Sequence, residues 1–250
     1  MIQQARLFVC ALQFLTRLPT PTLKTFEPEW ISRAAPYYPV VGWIVGGLTA
    51  AVFYGAHFLW SSLVGAVLAV AAGFLITGGF HEDGLADTVD GLGGGQTPGR
   101  RLEIMKDSRI GSFGALALWA VLTLKVFALS MLGPVQGAIS LIVAHGAARA
   151  ASVVVMAALP YAGDLTQAKL KPSPTGVRGG EAIAAVVLGL GPLALLPLRQ
   201  SAMGLLLTLA SAGALAVAAR RHIGGWTGDV LGAVEQLAEA ALMLGFAAGG

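Results

Sequence analysis

The sequence predicts an all-α polytopic membrane protein, and three observations carry that prediction. Of 250 residues, 56% are hydrophobic and only 12% are charged. The mean hydropathy is +0.74. Apolar runs of about 17 to 25 residues, long enough to cross a bilayer, recur along the chain. Such a composition lies far from that of a soluble globular domain. One cysteine, Cys10, excludes an internal disulfide framework and a multi-cysteine metal centre. The pI is near 9.2, yet no basic run exceeds Arg100-Arg101 or Arg220-Arg221. Nucleic acid is therefore not an expected partner, and the charge suits a membrane surface.

Taken in order, residues 1–18 read as a helix whose apolar positions are interrupted by Gln3, Gln4, Arg6, Gln13 and Arg17. It is too polar to span and is expected to lie in the interface, ended by Pro19 and Pro21. Seven apolar stretches then predict seven transmembrane helices over 37–56, 61–77, 113–132, 137–159, 182–198, 202–219 and 230–248. Many carry internal small residues, Gly42, Gly46, Gly73 and Gly189 among them, which suit close packing in lipid. The second stretch is short and is expected to run on into the acidic segment that follows, as one helix leaving the membrane. No tandem repeat interrupts residues 1–250, so a single integral membrane domain is predicted.

Lysine and arginine predict the orientation. One face collects Arg6, Arg17, Lys24 and Arg33, then Arg100, Arg101, Lys106 and Arg109, then Lys169, Lys171 and Arg178, then Arg220 and Arg221; the other holds Arg199. This asymmetry puts the N-terminus and the acidic segment in the cytoplasm and the C-terminus outside.

Four of the 13 acidic residues, Glu82, Asp83, Asp87 and Asp90, crowd into 82–90. On a helix Asp83, Asp87 and Asp90, at i, i+4 and i+7, fall within roughly 60° of one another and line one stripe. Like charges so arranged call for a cation, and hard oxygen ligands suit Mg²⁺ or Mn²⁺ bridging phosphate oxygens. Gly94 and Gly95 permit close backbone approach to a ligand, and Arg100, Arg101, Lys106 and Arg109 set cations beside the acids. Glu103 and Asp107, at i and i+4, are further oxygen donors, and Asp229 in a glycine-rich turn is a candidate substrate or metal contact. Within the spans, His145 and Arg149 share one face, and Glu235 and Glu239 share another. A charge at mid-bilayer costs at least roughly 2.5 to 3.5 kcal/mol, so Arg149 is expected to pair with one of these glutamates. Lys125 lies too far toward the outer leaflet to be given a role.

Two long blocks, His81-Glu82-Asp83-Gly84-Leu85-Ala86-Asp87-Thr88-Val89-Asp90-Gly91-Leu92-Gly93-Gly94-Gly95 and Arg101-Leu102-Glu103-Ile104-Met105-Lys106-Asp107-Ser108-Arg109-Ile110-Gly111-Ser112-Phe113-Gly114, resemble the signature of the adenosylcobinamide-GDP ribazoletransferase, or cobalamin synthase, family. The resemblance extends to Arg17-Leu18-Pro19, to Tyr37-Tyr38-Pro39-Val40-Val41-Gly42 and to Gly224-Gly225-Trp226-Thr227-Gly228-Asp229-Val230-Leu231-Gly232-Ala233. It implies the last assembly step of the coenzyme B12 nucleotide loop, at a bacterial or archaeal cytoplasmic membrane, with Mg²⁺ as cofactor. The implied substrates are adenosylcobinamide-GDP and α-ribazole or its 5′-phosphate, and the products are adenosylcobalamin or its phosphate and GMP. Association with a second copy or with other B12-assembly enzymes is a further expectation. On this reading Asp83, Asp87 and Asp90 bind metal with Glu82, Glu103 and Asp107 as further ligands, Lys106 and Arg109 hold phosphate, and His81 or a non-ligating carboxylate is the general base.

Two other readings compete. Asp87-Thr88-Val89-Asp90-Gly91 also reads as the DxxDG of the CDP-alcohol phosphotransferases, and Gly99, Glu103 and Asp107 repeat that family's later spacing. Against it, Gly94-Gly95 replace an Ala-Arg pair, Glu103 replaces an aspartate and the gap before Gly99 is shorter. A cation transporter would instead place its acids at the midplane in two related halves, whereas here most acids cluster at one surface without an internal repeat.

Overall fold

The computed structural model describes residues 2–23, 25, 27, 29–163 and 176–248. Lys24, the segment with Lys169 and Lys171, and the C-terminal Gly250 lie outside the described residues. The architecture is helical throughout them. In chain order the helices are α1 (Ile2–Leu15), α2 (Trp30–Arg33), α3 (Tyr38–Leu59), α4 (Ser62–Thr77), α5 (Phe80–Gly94), α6 (Pro98–Met105), α7 (Ser112–Ser130), α8 (Pro134–Ala158), α9 (Gly179–Leu190), α10 (Leu198–Ile223) and α11 (Gly228–Ala247).

Helix α1 is amphipathic as expected: Leu7, Cys10, Ala11 and Leu15 are buried while Gln3, Gln4, Arg6 and Gln13 are exposed. Its end is tied to the end of α4, where Arg17 N donates to Ile76 O at 2.7 Å.

Five helices, α3, α7, α8, α10 and α11, are long and apolar enough to cross a membrane, and the pair α4–α5 makes a sixth crossing if counted together. That pair overturns the expectation of one continuous helix. Gly78 and Gly79 both adopt left-handed backbone, φ 73° and 69°, and the axes of α4 and α5 meet at 90°. A side chain at either position would be strained, so glycine is what allows the corner. The predicted stretch 182–198 is a shorter apolar helix, α9, extended by a 3₁₀ turn over Gly191–Leu195. Gln136 Nε2, at the start of α8, donates to Gln200 Oε1, at the start of α10, at 3.0 Å. Helices α8 and α10 therefore begin at the same end, and α9 with its turn carries the chain back across the bundle.

The opposite end gathers the basic loops, and we call it the basic face. There Trp226 N donates to Pro160 O at 2.9 Å and Ala162 N to Trp226 O at 2.8 Å, tying the end of α8 to the start of α11. Arg33 pairs with Glu181 at 3.0 Å, tying α2 to α9. Close packing comes from small residues. A Cβ on Gly46 would stand 2.6 Å from Ile142 Cα, and one on Gly42 would stand 2.7 Å from the His145 carbonyl carbon. The G-x-x-x-G face of α3 thus lets α8 approach at backbone distance. Helix α11 lies at the centre, packed by α5, α7, α8 and α10.

Candidate active site

Helix α5 runs from the interior to the basic face and carries the acidic stripe. Asp83 is exposed, Asp87 half-buried and Asp90 buried. Two glycines bring α11 against it: a Cβ on Gly84 would stand 2.8 Å from Asp229 O and 3.1 Å from Asp229 Cα, and one on Gly232 would stand 3.2 Å from His81 Cα. That approach sets Asp229, in the first turn of α11, beside the stripe. Thr227, not Asp229, caps α11, its Oγ1 accepting from Val230 N at 3.2 Å. The charges bearing most on the Asp87 carboxylate are Asp83, Asp229, Asp90 and Asp107, all acidic. Like charge drawn from three parts of the chain onto one group is the condition a bound cation relieves.

Asp90 has a second task. Its Oδ2 accepts from Gly111 N at 2.7 Å and its Oδ1 from Gly114 N at 2.8 Å. These are orphan donors at the start of α7, so α5 caps α7 across the interhelical contact. A side chain at Gly111 or Gly114 would strike the Asp90 carboxylate. Each oxygen keeps a second lone pair, so capping and metal ligation are compatible.

The other predicted residues divide. Asp107 accepts from Arg109 Nε at 3.0 Å and from Arg109 Nη2 at 2.6 Å. Those hydrogen bonds hold its pKa down to about 2. Glu103 pairs with Arg100 at 3.0 Å on the exposed side of α6. Arg101 is a buttress: its Nε donates to Gly95 O at 2.9 Å and its Nη1 to His222 O at 3.3 Å, joining α5, α6 and α10. Gly95 is packed under Arg101, since a Cβ there would stand 2.8 Å from Arg101 Cα; at Gly94 it would stand 3.6 Å from Ile104 Cδ1. Lys106 closes α6 as its C-cap.

His81 and Glu82 turn away from the stripe into a network inside the bundle. Its other members are Lys125 of α7, His145 and Arg149 of α8, and Glu235, Gln236 and Glu239 of α11, each between 1% and 6% exposed. Arg149 Nη1 lies 2.9 Å from Glu235 Oε1 and 3.5 Å from Glu239 Oε1, so the expected pairing forms. Lys125 is a correction to the sequence reading. Its Nζ reaches back along the bundle to Glu239 Oε2 at 2.5 Å and to Gln236 Oε1 at 3.1 Å. His145 Nδ1 contacts Glu239, and His81 Nδ1 lies 3.9 Å from Glu235 Oε1. Among the described residues His145, Glu235 and Glu239 are the group whose ligand atoms lie within 4.8 Å of one another; the stripe is more open. The network carries its own counter-ions in Lys125 and Arg149, and its cavity of about 10 Å³ has room for about one water. Gln236 escaped the sequence reading, although a glutamine beside Glu235 in an apolar span was a visible signal.

The family described as cobalamin-5-phosphate synthase matches residues 7–247. The chain belongs to that family. Its relatives include the adenosylcobinamide-GDP ribazoletransferase of Leptothrix cholodnii, 46% identical over 259 residues that cover 100% of this chain and 97% of the relative. That of Shewanella amazonensis is 41% identical over 249 residues, covering 97% and 95%. No solved structure matches the chain. For a member of the cobalamin synthase family, the CDP-alcohol and transporter readings lose their footing. The two signature blocks become the α5 stripe and, with α6, the buttress packed against the end of α5.

Proposed function

We propose that the chain joins α-ribazole, or its 5′-phosphate, to adenosylcobinamide-GDP and releases GMP, as a Mg²⁺-dependent transferase at the cytoplasmic face of a bacterial or archaeal inner membrane. The observation that carries this reading is the stripe of Asp83, Asp87 and Asp90 on α5 with Asp229 brought against it at the Gly84 contact, in a chain similar throughout to proteins of that name. The donors are all carboxylate oxygens, the chemistry Mg²⁺ takes alongside phosphate. Asp83, Asp87 and Asp229 would hold it, with Asp90 fixed behind them and Asp107 at the rim. A metal held there would supply positive charge against the diphosphate and the departing GMP.

In the transfer a ribazole hydroxyl oxygen forms a bond to the corrinoid-side phosphorus. The bond from that phosphorus to the GMP phosphate oxygen breaks, and its electron pair leaves with GMP. The hydroxyl proton passes to a stripe carboxylate not engaged by metal, because His81 faces the internal network. Arg100 and Arg109, with side chains 64% and 87% exposed, stand at the mouth to meet phosphate. Positioning and charge stabilisation account for most of the acceleration in phosphoryl transfer.

GMP release by the purified protein in liposomes tests the reading. Asp87→Asn is expected to lose on the order of 10²-fold or more in turnover, and Glu103→Gln to stay within about twofold, as an exposed surface pair contributes little. EDTA should stop the reaction and Mg²⁺ restore it. Full turnover by Asp87→Asn, or GMP release indifferent to EDTA, would overturn the proposal.

A further inference from the structure

We infer that Gln236, a buried neutral residue with no contact to the acidic stripe, is the positioning residue that sets the stripe's metal affinity; the inference rests on the metal reading proposed above. Gln236 is 2% exposed and joins three helices through one amide. Its Oε1 accepts from Lys125 Nζ at 3.1 Å. Its Nε2 donates to Glu82 Oε1 and to Glu235 Oε2, each at 3.0 Å. The orientation of the amide follows from chemistry. An ammonium only donates and a carboxylate only accepts, so the oxygen must face Lys125 and the nitrogen must face the glutamates.

The Gln236 bond to Glu82 is a direct side-chain hydrogen bond between α5 and α11. Glu82 immediately precedes Asp83, the first residue of the stripe. Asp229 lies seven residues before Gln236, about two turns away on the same face of α11. Between these points Gly84 packs against Asp229 and Gly232 with no side chain to hold the register. Glycine-on-glycine contact permits close approach but also permits sliding. The Glu82–Gln236 hydrogen bond stops the slide, and Lys125, itself held by Glu239 at 2.5 Å, stops the amide from turning. A helix displaced by a fraction of a turn would carry Asp83 and Asp87 away from Asp229 without removing any of the three carboxylates.

Direct Mn²⁺ binding to the detergent-solubilised full chain, read by electron paramagnetic resonance without substrate, tests this apart from turnover. Gln236→Leu is expected to weaken Mn²⁺ by about tenfold or more, as loss of an orienting partner does. Gln236→Glu should weaken it further, because a fourth carboxylate would then face Glu82 and Glu235. The exchange Glu82→Gln with Gln236→Glu restores one amide and one carboxylate to that pair and keeps an acceptor for Lys125. It should bind Mn²⁺ severalfold more tightly than Gln236→Glu while staying below wild type, because the new carboxylate still faces Glu235; that partial rescue is one general destabilisation would not produce. Should Gln236→Leu fail to fold, Gln236→Glu against the exchange decides the matter. Gln236→Leu binding Mn²⁺ within twofold of wild type, or an exchange variant no better than Gln236→Glu, overturns this inference alone. Wild-type protein that binds no Mn²⁺ and releases GMP in EDTA overturns the metal reading, and this inference with it.

Discussion

Arg149 is the largest side chain buried completely in the bundle. Its guanidinium sits 2.9 Å from Glu235 and 3.5 Å from Glu239, and its Nη1 donates to the His145 carbonyl at 2.9 Å. Removing the cation would leave Glu235 buried without its arginine partner, held only by the Gln236 amide at 3.0 Å and with His81 at 3.9 Å, a change that costs about 3–5 kcal/mol in buried pairs. Arg149→Met is therefore expected to lower the thermal unfolding midpoint in detergent sharply. The partners differ, because Glu239 keeps Lys125 at 2.5 Å while Glu235 has no such second cation among its ion pairs. Adding Glu235→Gln to Arg149→Met should recover part of the loss, and adding Glu239→Gln should recover less. Equal recovery by both, or none by either, would show that the pairing does not stabilise the protein. The cost of an unpartnered charge in lipid was enough to anticipate Arg149 with the two glutamates. It could not place Lys125, because a four-carbon stem lets the charge sit well away from its own backbone position.

At the scale of the helix, glycines decide which elements touch. Gly46 and Gly47 are neighbours on α3, yet a Cβ on Gly46 would meet Ile142 Cα at 2.6 Å while one on Gly47 meets nothing within 4 Å. Gly46→Ala is expected to destabilise by about 1–3 kcal/mol through overpacking against backbone. Gly47→Ala should be neutral or gain up to about 1 kcal/mol from helix propensity. Unfolding of the two variants in detergent checks this, and matching losses would mean α3 does not pack on α8 through that face. The corner between α4 and α5 shows where periodicity fails as a guide. An apolar run followed by an acidic helical pattern reads as one helix, because composition carries no backbone dihedral. Gly78-Gly79 was the available signal, but paired glycines also occur inside membrane helices as packing sites. Only the chain's return onto α7 and α11 selects the left-handed corner. The fifth predicted span has a parallel history, since Pro192 falls where α9 gives way to the 3₁₀ turn.

For the whole molecule, the connections at each end specify a topology that labelling can test. With Cys10→Ser as background, Gly99→Cys lies in α6 on the basic face and Gly133→Cys lies between α7 and α8 at the opposite end, both with open space around the added side chain. In intact cells an impermeant thiol reagent should reach Gly133→Cys, and Gly99→Cys should label only after the membrane is opened. The reverse pattern would put the acidic stripe outside and overturn the cytoplasmic placement proposed for the site. The sequence by itself determined the class of the molecule, most of its long helices and the acidic stripe, because transfer cost, helical period and like-charge repulsion are local and additive along a chain. It also pointed to the family, through blocks that run without interruption. Tertiary structure alone decided which acids share a site. Asp229 joins Asp87 because Gly84 and Gly232 let two helices meet at backbone distance, whereas His81 and Glu82, adjacent to the stripe in sequence, face the other way. Side chains on consecutive positions of a helix point about 100° apart, so adjacency along the chain separates them, and packing between helices reunites residues some 140 positions distant.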